Sequence, residues 1–577
     1  MKRTGSVAVK KKIPRNPTWE NLISFGEEID LAPGRATVGL FNANTFNYGI
    51  ANLGAQTIAH YLLQRGVNVY FAFADTIKKT PFINDRTMLP RRCDIIALSI
   101  PFEDTYLPAL QMLDRAGLPI YARERGDDYP LVVAGGMAMI NPIPFSEFVD
   151  VVVIGEGRQA LHEITTRYVR ARRNHTSKRD ALCHLADIPG VYIPSHYKIQ
   201  VDEWGYVGEF ECLNGHPSVE SNLPLDLNQY PIYSVWTSQY ASYEQQDYFS
   251  IMSAMGCHKK CPFCVVGHVQ GAHSGRAITM DIDTIINLAV ERRERFGTNL
   301  IKIFFASAFS PAAGDINSSA LKSLLDKMIQ LGFSCRVGSL NIKQADEELF
   351  QLLKAVGQEE VTFAPETTQE MRHKIGKAYI SDEKLRTLAG YAGKYGFSMN
   401  IYSLGGVPGE NDEVMRRFVD LLRSLRRAMG AGGNMLVHYN PVFAKAQTPY
   451  QFFGNTRPAG IRKKYRLLRS ELEGEDIDFV SVIPDALTYY QPILSLGDFN
   501  AGRVMAYLYK RNRVTEADWV EAFKSLALDD GRYFEAKDPD RTLPWQHIGY
   551  TDHQRLRQRA SAMGRLSLPM IGEGVPA

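Results

Sequence analysis

The run Cys257-His258-Lys259-Lys260-Cys261-Pro262-Phe263-Cys264 constrains this chain more than any other feature. Its spacing, C-x-x-x-C-x-x-C after Gly256, puts three thiolates on one tight loop, where they converge on a single ion or cluster. A zinc site or a closed iron–sulfur site takes four protein ligands. The local run supplies three. It therefore reads either as a [4Fe–4S] site with one iron open to a substrate, or as a zinc loop whose fourth ligand lies elsewhere. The apolar run Tyr248-Phe249-Ser250-Ile251-Met252 just before it predicts a short buried strand. The cysteines would then follow the first strand of a barrel-like domain, on the face where such domains carry chemistry.

The chain has 577 residues, too many for one core. Its 45% hydrophobic and 22% charged residues are those of a folded globular protein. A net charge of +3 makes no electrostatic case for nucleic acid. No apolar run is long enough to cross a bilayer, so no membrane role is expected. The basic start, Met1 to Lys12, lacks the apolar segment of a secretory signal. Of seven cysteines, three belong to the loop, and Cys93, Cys183, Cys212 and Cys335 are scattered. That usage predicts a reduced, cytoplasmic protein, a setting that suits an oxygen-sensitive cluster.

Residues 1–34 read as an extension with a solvated basic tail carrying Lys2, Arg3, Lys10, Lys11, Lys12 and Arg15. The pattern then becomes α/β. Residues 37–41, 67–71, 94–100, 131–136 and 151–157 predict buried strands, with helices at 50–65 and 106–116. This predicts a doubly wound parallel sheet over residues 35–228, which closes with a connecting hairpin region. Ligands of such sheets sit at the carboxyl ends of the strands. Those ends carry Asn44, Ser99, Gly135, Gly136, Gly155 and Glu156. Strands and helices alternate again over residues 229–463. Candidate strands at 300–305, 334–337, 361–363, 398–404 and 435–439 join the one before the cysteines in a partial (β/α)6 barrel. Residues 464–577 are mixed and are expected to cap the barrel. No dinucleotide fingerprint or phosphate loop competes with this reading.

The cysteine loop resembles the cluster loop of the radical S-adenosylmethionine (SAM) superfamily, with the aromatic Phe263 before the third cysteine included. The resemblance implies that Cys257, Cys261 and Cys264 are metal ligands and catalytic residues around a [4Fe–4S] cluster. Its open iron would take the amino and carboxylate groups of SAM for reductive cleavage. The family's strand ends then imply further contacts. Ser307 would meet the ammonium, in the run Ala306 to Ser310 with Asp315 further on, where the family has glycines and an acid. Ser339 and Asn341 would make polar contacts. Glu366 would accept from the ribose or the ammonium, and Arg372 would pair with the carboxylate. Gly406 and Pro408, in the run Gly405 to Glu410, would form the adenine-side turn, and Phe263 would stack on the adenine. Tyr439, with His438 and Asn440, would face the same end. Met252 and Met255 depart from the acid and arginine common there. Tyr489, Tyr490, Asp498 and His547 are expected on the substrate side of a capping tail.

The N-terminal sheet resembles the cobalamin-binding domain common in this superfamily. The runs from Asn44 to Gly54, Gly135-Gly136 with Asn141-Pro142, and Ile154-Gly155-Glu156-Gly157 resemble one large branch of it. The D-x-H-x-x-G loop, whose histidine ligates cobalt, is absent. Asn44 to Gly49 stands in its place without a histidine, and His60 falls in the following helix. Either cobalamin binds without a lower histidine ligand, or the sheet keeps only the fold. Three functions follow from the resemblance. The first is cobalamin-dependent methyl transfer to an unactivated centre. The second is a cobalamin-independent reaction (3-amino-3-carboxypropyl transfer, sulfur insertion or rearrangement) with the sheet as scaffold. The third is a non-enzymatic iron–sulfur sensor, which would not need a full barrel. The expected partners are a small-molecule substrate rather than nucleic acid, and a reductant such as flavodoxin or ferredoxin.

Overall fold

The computed structural model describes residues 12–242, 247–270, 277–309, 319–481, 485–550 and 552–564. Most of the basic tail, Ser310 and Asp315 lie outside the described residues.

The first sheet has the spatial order Asn68–Phe73, Thr37–Asn42, Ile95–Ser99, Leu131–Gly135, Val151–Val153, Val191–Tyr192. Every pair is parallel except the last. Its strands are covered on both faces, which is why they read as apolar runs rather than alternating ones. Asn68–Phe73 is buried at every position. One face packs on helices Leu53–Leu63 and Gly157–Arg173. The chain moves outward from Thr37–Asn42 in both directions, so the strand order reverses beside that strand. In open α/β sheets the ligand crevice lies at such a reversal.

The other face corrects an expectation. The tail does not simply cap the barrel. Its helices Asp485–Ser495, Phe499–Leu508 and Glu516–Ser525 pack with helix Tyr106–Arg115 on the second face of the N-terminal sheet. Burial there takes up the four tail residues expected near substrate. The Tyr489 hydroxyl lies 2.7 Å from Asp530 Oδ2, and Tyr490 stacks on Trp519 at 5.3 Å. Asp498 pairs with Arg532 at 2.5 Å, and His547 is wedged between Tyr192 and Tyr197. These are packing residues. Trp545 and helix His553–Gly564 reach the barrel near the cysteine loop.

The barrel is built from two parallel ladders. One joins Phe249–Met252, Leu300–Phe304 and Ser334–Val337. The other joins Glu360–Glu366, Ser398–Gly405, Met435–Pro441 and Asp478–Val480. The last strand is a seventh, beyond the six expected, and the expected boundary at 463 falls inside helix Pro458–Glu471. The seam between the ladders is bridged by single bonds, Val337 N–H to Gln358 Oε1 at 2.9 Å and Leu340 N–H to the Thr362 carbonyl at 3.0 Å. Strand alternation sorts the side chains. Ile303, Val337, Phe363, Ile401, Val437 and Tyr439 turn outward into the core beneath the helices. Phe304, Arg336, Thr362, Tyr402, His438 and Asn440 alternate with them, half-buried on the inner face.

Candidate active site

The cysteine loop leaves the first barrel strand through the short pair Ala254–Met255 and Ile278–Thr279. Gly256 (φ +81°) makes the turn. The left-handed Lys260 (φ +48°) bends the loop back on itself, against Gly267. A side chain at Gly267 would lie 2.8 Å from Lys260 Cα, so only glycine lets the following turn close on the loop. The Cys264 N–H donates to the Cys261 carbonyl at 3.0 Å, and the His268 ring lies 3.2 Å from the same oxygen. Cys261 is buried, while Cys257 and Cys264 are half-buried. Burial pushes the Cys261 thiol up to about 11, with further upward pressure from its two sister thiols. Burial also raises Cys264, opposed by the N–H groups of Val266 and Gly267 aimed at its sulfur. Among the described residues no three His, Cys, Asp or Glu groups converge closely enough for a single metal ion.

A second loop backs this one. Gly376 packs its Cα within reach of the cysteines; a Cβ there would stand 3.0 Å from Pro262 Cδ and 3.5 Å from Cys261 Cα. Glu366, at the end of its strand, is 8% exposed and holds φ +68° after a break in register. A left-handed carboxylate residue at a strand end is an energetic cost that structures keep at functional places. Its Oε1 accepts from Lys377 Nζ at 2.7 Å, and the same ammonium donates to the Ala364 carbonyl at 2.7 Å. Lys377 carried no signal in the sequence; only the ten-residue loop between them brings the pair together.

The other expected SAM contacts divide. Phe263 sits beside the cysteines with its ring edge-on to Tyr450 at 6.1 Å. Ser307 is half-buried on the turn after the second barrel strand, and Ser339 is exposed. Asn341 Oδ1 accepts from its own loop, from Lys343 N–H at 3.2 Å. Gly406 (φ +81°) and Pro408 lie in a turn after strand Ser398–Gly405. That turn is clamped by Glu410 Oε2, which takes the Gly406 N–H and Lys464 Nζ, each at 2.7 Å. Two residues are corrected. Arg372 is wholly buried, and its guanidinium donates to the Ile380 carbonyl at 3.0 Å and Asp382 Oδ1 at 2.7 Å. It fastens its own loop and reaches no ligand space. Tyr439 points outward, packed on Phe479 and against Gly405, so His438 and Asn440 hold the inner face of that strand.

A cavity of about 320 Å³ opens at the carboxyl edge of the N-terminal sheet. Ser99, Gly135, Gly136, Gly155 and Glu156 line it, as expected from the strand ends. Asn44 does not. Its carbonyl is bound by Ala74 N–H, and the helix cap Asn52 takes the place on the wall. A Cβ at Gly135 would meet nothing nearer than 3.8 Å, so this glycine leaves room rather than closing a turn. Gly136 (φ +125°) and Gly155 (φ +89°) are needed for their backbone and for close approach to Ile100 and Asn222. The opposite wall comes from the barrel: Met252, Met255, Val269 and Gln270, which flank the cysteine loop on both sides. Among the described residues no histidine lines the cavity. His60 lies against Tyr233, and its pKa is lowered by burial.

A family model described as the radical SAM superfamily matches residues 251–422, and one for the N-terminal part of radical SAM proteins matches residues 78–194. Together they take in about half of the chain. The chain belongs to the radical SAM superfamily. Membership implies a [4Fe–4S] cluster and SAM. The three-thiol loop fits that group. Cys261 is buried, Cys257 and Cys264 are half-buried, and the amide N–H groups of Val266 and Gly267 face the Cys264 sulfur. Among solved structures, a radical SAM methyltransferase, TsrM from Kitasatospora setae with cobalamin and [4Fe–4S] cluster bound, is 15% identical. The match covers 85% of this chain and 100% of that one at a TM-score of 0.52. The cobalamin-dependent SAM radical enzyme OxsB, with aqua-cobalamin and SAM bound, is 13% identical over 87% of this chain and 72% of that one, at 0.48. The TsrM likeness shows a shared fold. No curated protein matches the chain in sequence.

Proposed function

We propose that this radical SAM enzyme is a cobalamin-dependent methyltransferase. The single observation that carries the reading is the cavity shared by the two domains. It has the N-terminal strand ends on one side and the residues flanking the cysteine loop on the other. A ligand held there lies directly against the cluster loop. TsrM, which shares this fold, has cobalamin bound, which supports the same reading. When bound, cobalamin supplies a methyl carrier, and the cluster with SAM supplies one-electron reduction and a methyl source.

The chain's own residues do the rest. Gly135 and Gly54 leave the strand-end wall bare for a broad ligand. Met252 and Met255 make the barrel-side wall apolar, which keeps water from the reacting space. Glu366, braced by Lys377, offers a carboxylate to the ammonium or ribose of SAM. None of the described wall residues offers an imidazole to a bound corrin. Reconstitution with hydroxocobalamin followed by gel filtration tests the reading. The expected result is corrin absorbance co-eluting with protein, with spectra of the form lacking a histidine ligand. Protein eluting without cobalt would replace it by the cobalamin-independent reaction, with the sheet as scaffold.

A further inference from the structure

The rim of the cysteine loop is built almost wholly of cations. Lys259 and Lys260 sit between the first two cysteines. Helix His553–Gly564 lays Arg555 and Arg559, one turn apart on a single face, beside them; Arg559 donates to the Lys260 carbonyl at 2.9 Å. Lys374 precedes Gly376, which packs on Pro262, and Lys343 flanks Lys259. None of these six is in an ion pair among the described residues, whereas basic residues elsewhere, such as Arg35, Arg295 and Lys327, have carboxylate partners. The nearest acid on the helix, Asp552, is turned to the N–H groups of Gln554 and Arg555. A chain of net charge +3 has gathered unneutralised positive charge on one spot. That spot is where the cysteines come closest to solvent: His258 is exposed, and Cys257 is half-buried.

We propose that this rim is the docking face for an acidic one-electron carrier protein. The inference rests on the three cysteines holding the cluster. Reductive SAM chemistry consumes one electron per turn, and a reduced carrier has to deliver it to the cluster. One electron leaves the carrier's reduced cofactor, which is oxidised by one unit, and enters the cluster, which is reduced by one. No bond forms or breaks. A carboxylate-rich partner is steered to an unpaired cation patch, and such steering weakens as salt screens it. A basic patch also suits RNA, and the test separates the two.

The probe is a reduced flavodoxin, and the protein is the full chain with its cluster. The variant is the triple charge reversal Lys343→Glu, Lys374→Glu, Arg555→Glu, which leaves the cysteine loop untouched. Flavodoxin binding should weaken by about tenfold or more at low salt in the variant. Wild-type binding should itself weaken as salt rises from about 50 to about 300 mM. Bleaching of the cluster absorbance by flavodoxin should slow by a similar factor. Bleaching by photoreduced 5-deazariboflavin, small and uncharged, should be unchanged. Salt-independent binding to the wild-type chain, or equal binding by wild type and variant, would overturn the proposal. So would RNA binding that the variant loses while its flavodoxin binding persists. Wild-type protein without iron would instead sink the cluster assignment on which the proposal rests.

Discussion

Lys377 Nζ stands 2.7 Å from Glu366 Oε1, both side chains nearly out of solvent, directly behind the cysteine loop. The ammonium is the internal counter-ion of a carboxylate held in a left-handed backbone. Removing one member of such a pair strands a buried charge, at a cost of about 3–5 kcal/mol. Lys377→Met should lower the thermal midpoint clearly. The double variant Lys377→Met/Glu366→Gln should regain a large part of it. Midpoints by differential scanning fluorimetry check this; a double variant as unstable as the single would show the two residues act apart.

Arg372 and Glu366 should part company in SAM binding. Glu366→Gln should weaken SAM roughly ten- to a hundredfold in titration calorimetry, the effect of losing a charge-assisted contact of about 1.5–3 kcal/mol. Arg372→Met should destabilise the fold and leave the affinity of the folded fraction unchanged, because its guanidinium is bonded to Ile380 and Asp382. A loss of affinity in Arg372→Met at unchanged stability would return it to the site.

Gly135→Val should block corrin binding without unfolding the sheet. Its new side chain enters the cavity, where a Cβ meets nothing nearer than 3.8 Å. Stability should change by about 1 kcal/mol or less. Gly136→Ala should do the reverse in stability, since its Cβ would stand 2.4 Å from the Ile100 carbonyl in a backbone that disfavours side chains. Equal effects of the two on melting would contradict this division.

His547 links stability to pH. Burial among aromatic rings pushes it down to about 4, from an ordinary value of 6.5. The unfolded chain therefore binds the proton first as pH falls. Its contribution is intact above pH 6.5 and is lost between there and about pH 4, on the order of 3 kcal/mol in all. Thermal midpoints of wild type and His547→Phe, measured between those limits, should converge as pH falls; parallel curves would assign the acid sensitivity to other groups.

Iron analysis gives the plainest check of the loop. The variant with Cys257, Cys261 and Cys264 all changed to Ala should hold no cluster iron after anaerobic reconstitution. Retention of about four irons per chain would place the cluster elsewhere.

The parts of this structure that were legible in the sequence are local ones. The three-cysteine spacing, the apolar strands of the first sheet and the glycines at their ends each carry their signal within a few residues. The misread parts depend on partners far away or on parity. Tyr439 and His438 differ by one position, and a strand sends neighbours to opposite faces, so the right strand end still gave the wrong side chain. Arg372 was expected to pair with a ligand carboxylate because Asp382, ten residues on, is hidden from any periodicity. The last barrel strand, Asp478–Val480, has three residues and no pattern of its own; its partner strand defines it. Asn44 and Asn52 are alike in type, and only the cap at Ala55 decides which one turns to the cavity.

The tail helices that complete the second face of the N-terminal sheet carry a consequence for synthesis. Leu110, Phe148 and their neighbours find Ile493, Val504 and Trp519 only when the last hundred or so residues have left the ribosome. Ile548–Gly549 then zips beside Val219–Glu220 as a final strand pair. Domains otherwise fold in the order they emerge. Here the first domain made is the last one sealed. A nascent chain must carry an open apolar sheet face through the making of the whole barrel. Premature termination after the first domain but before the helices from Asp485 onward should give a product that chaperones hold and proteases clear.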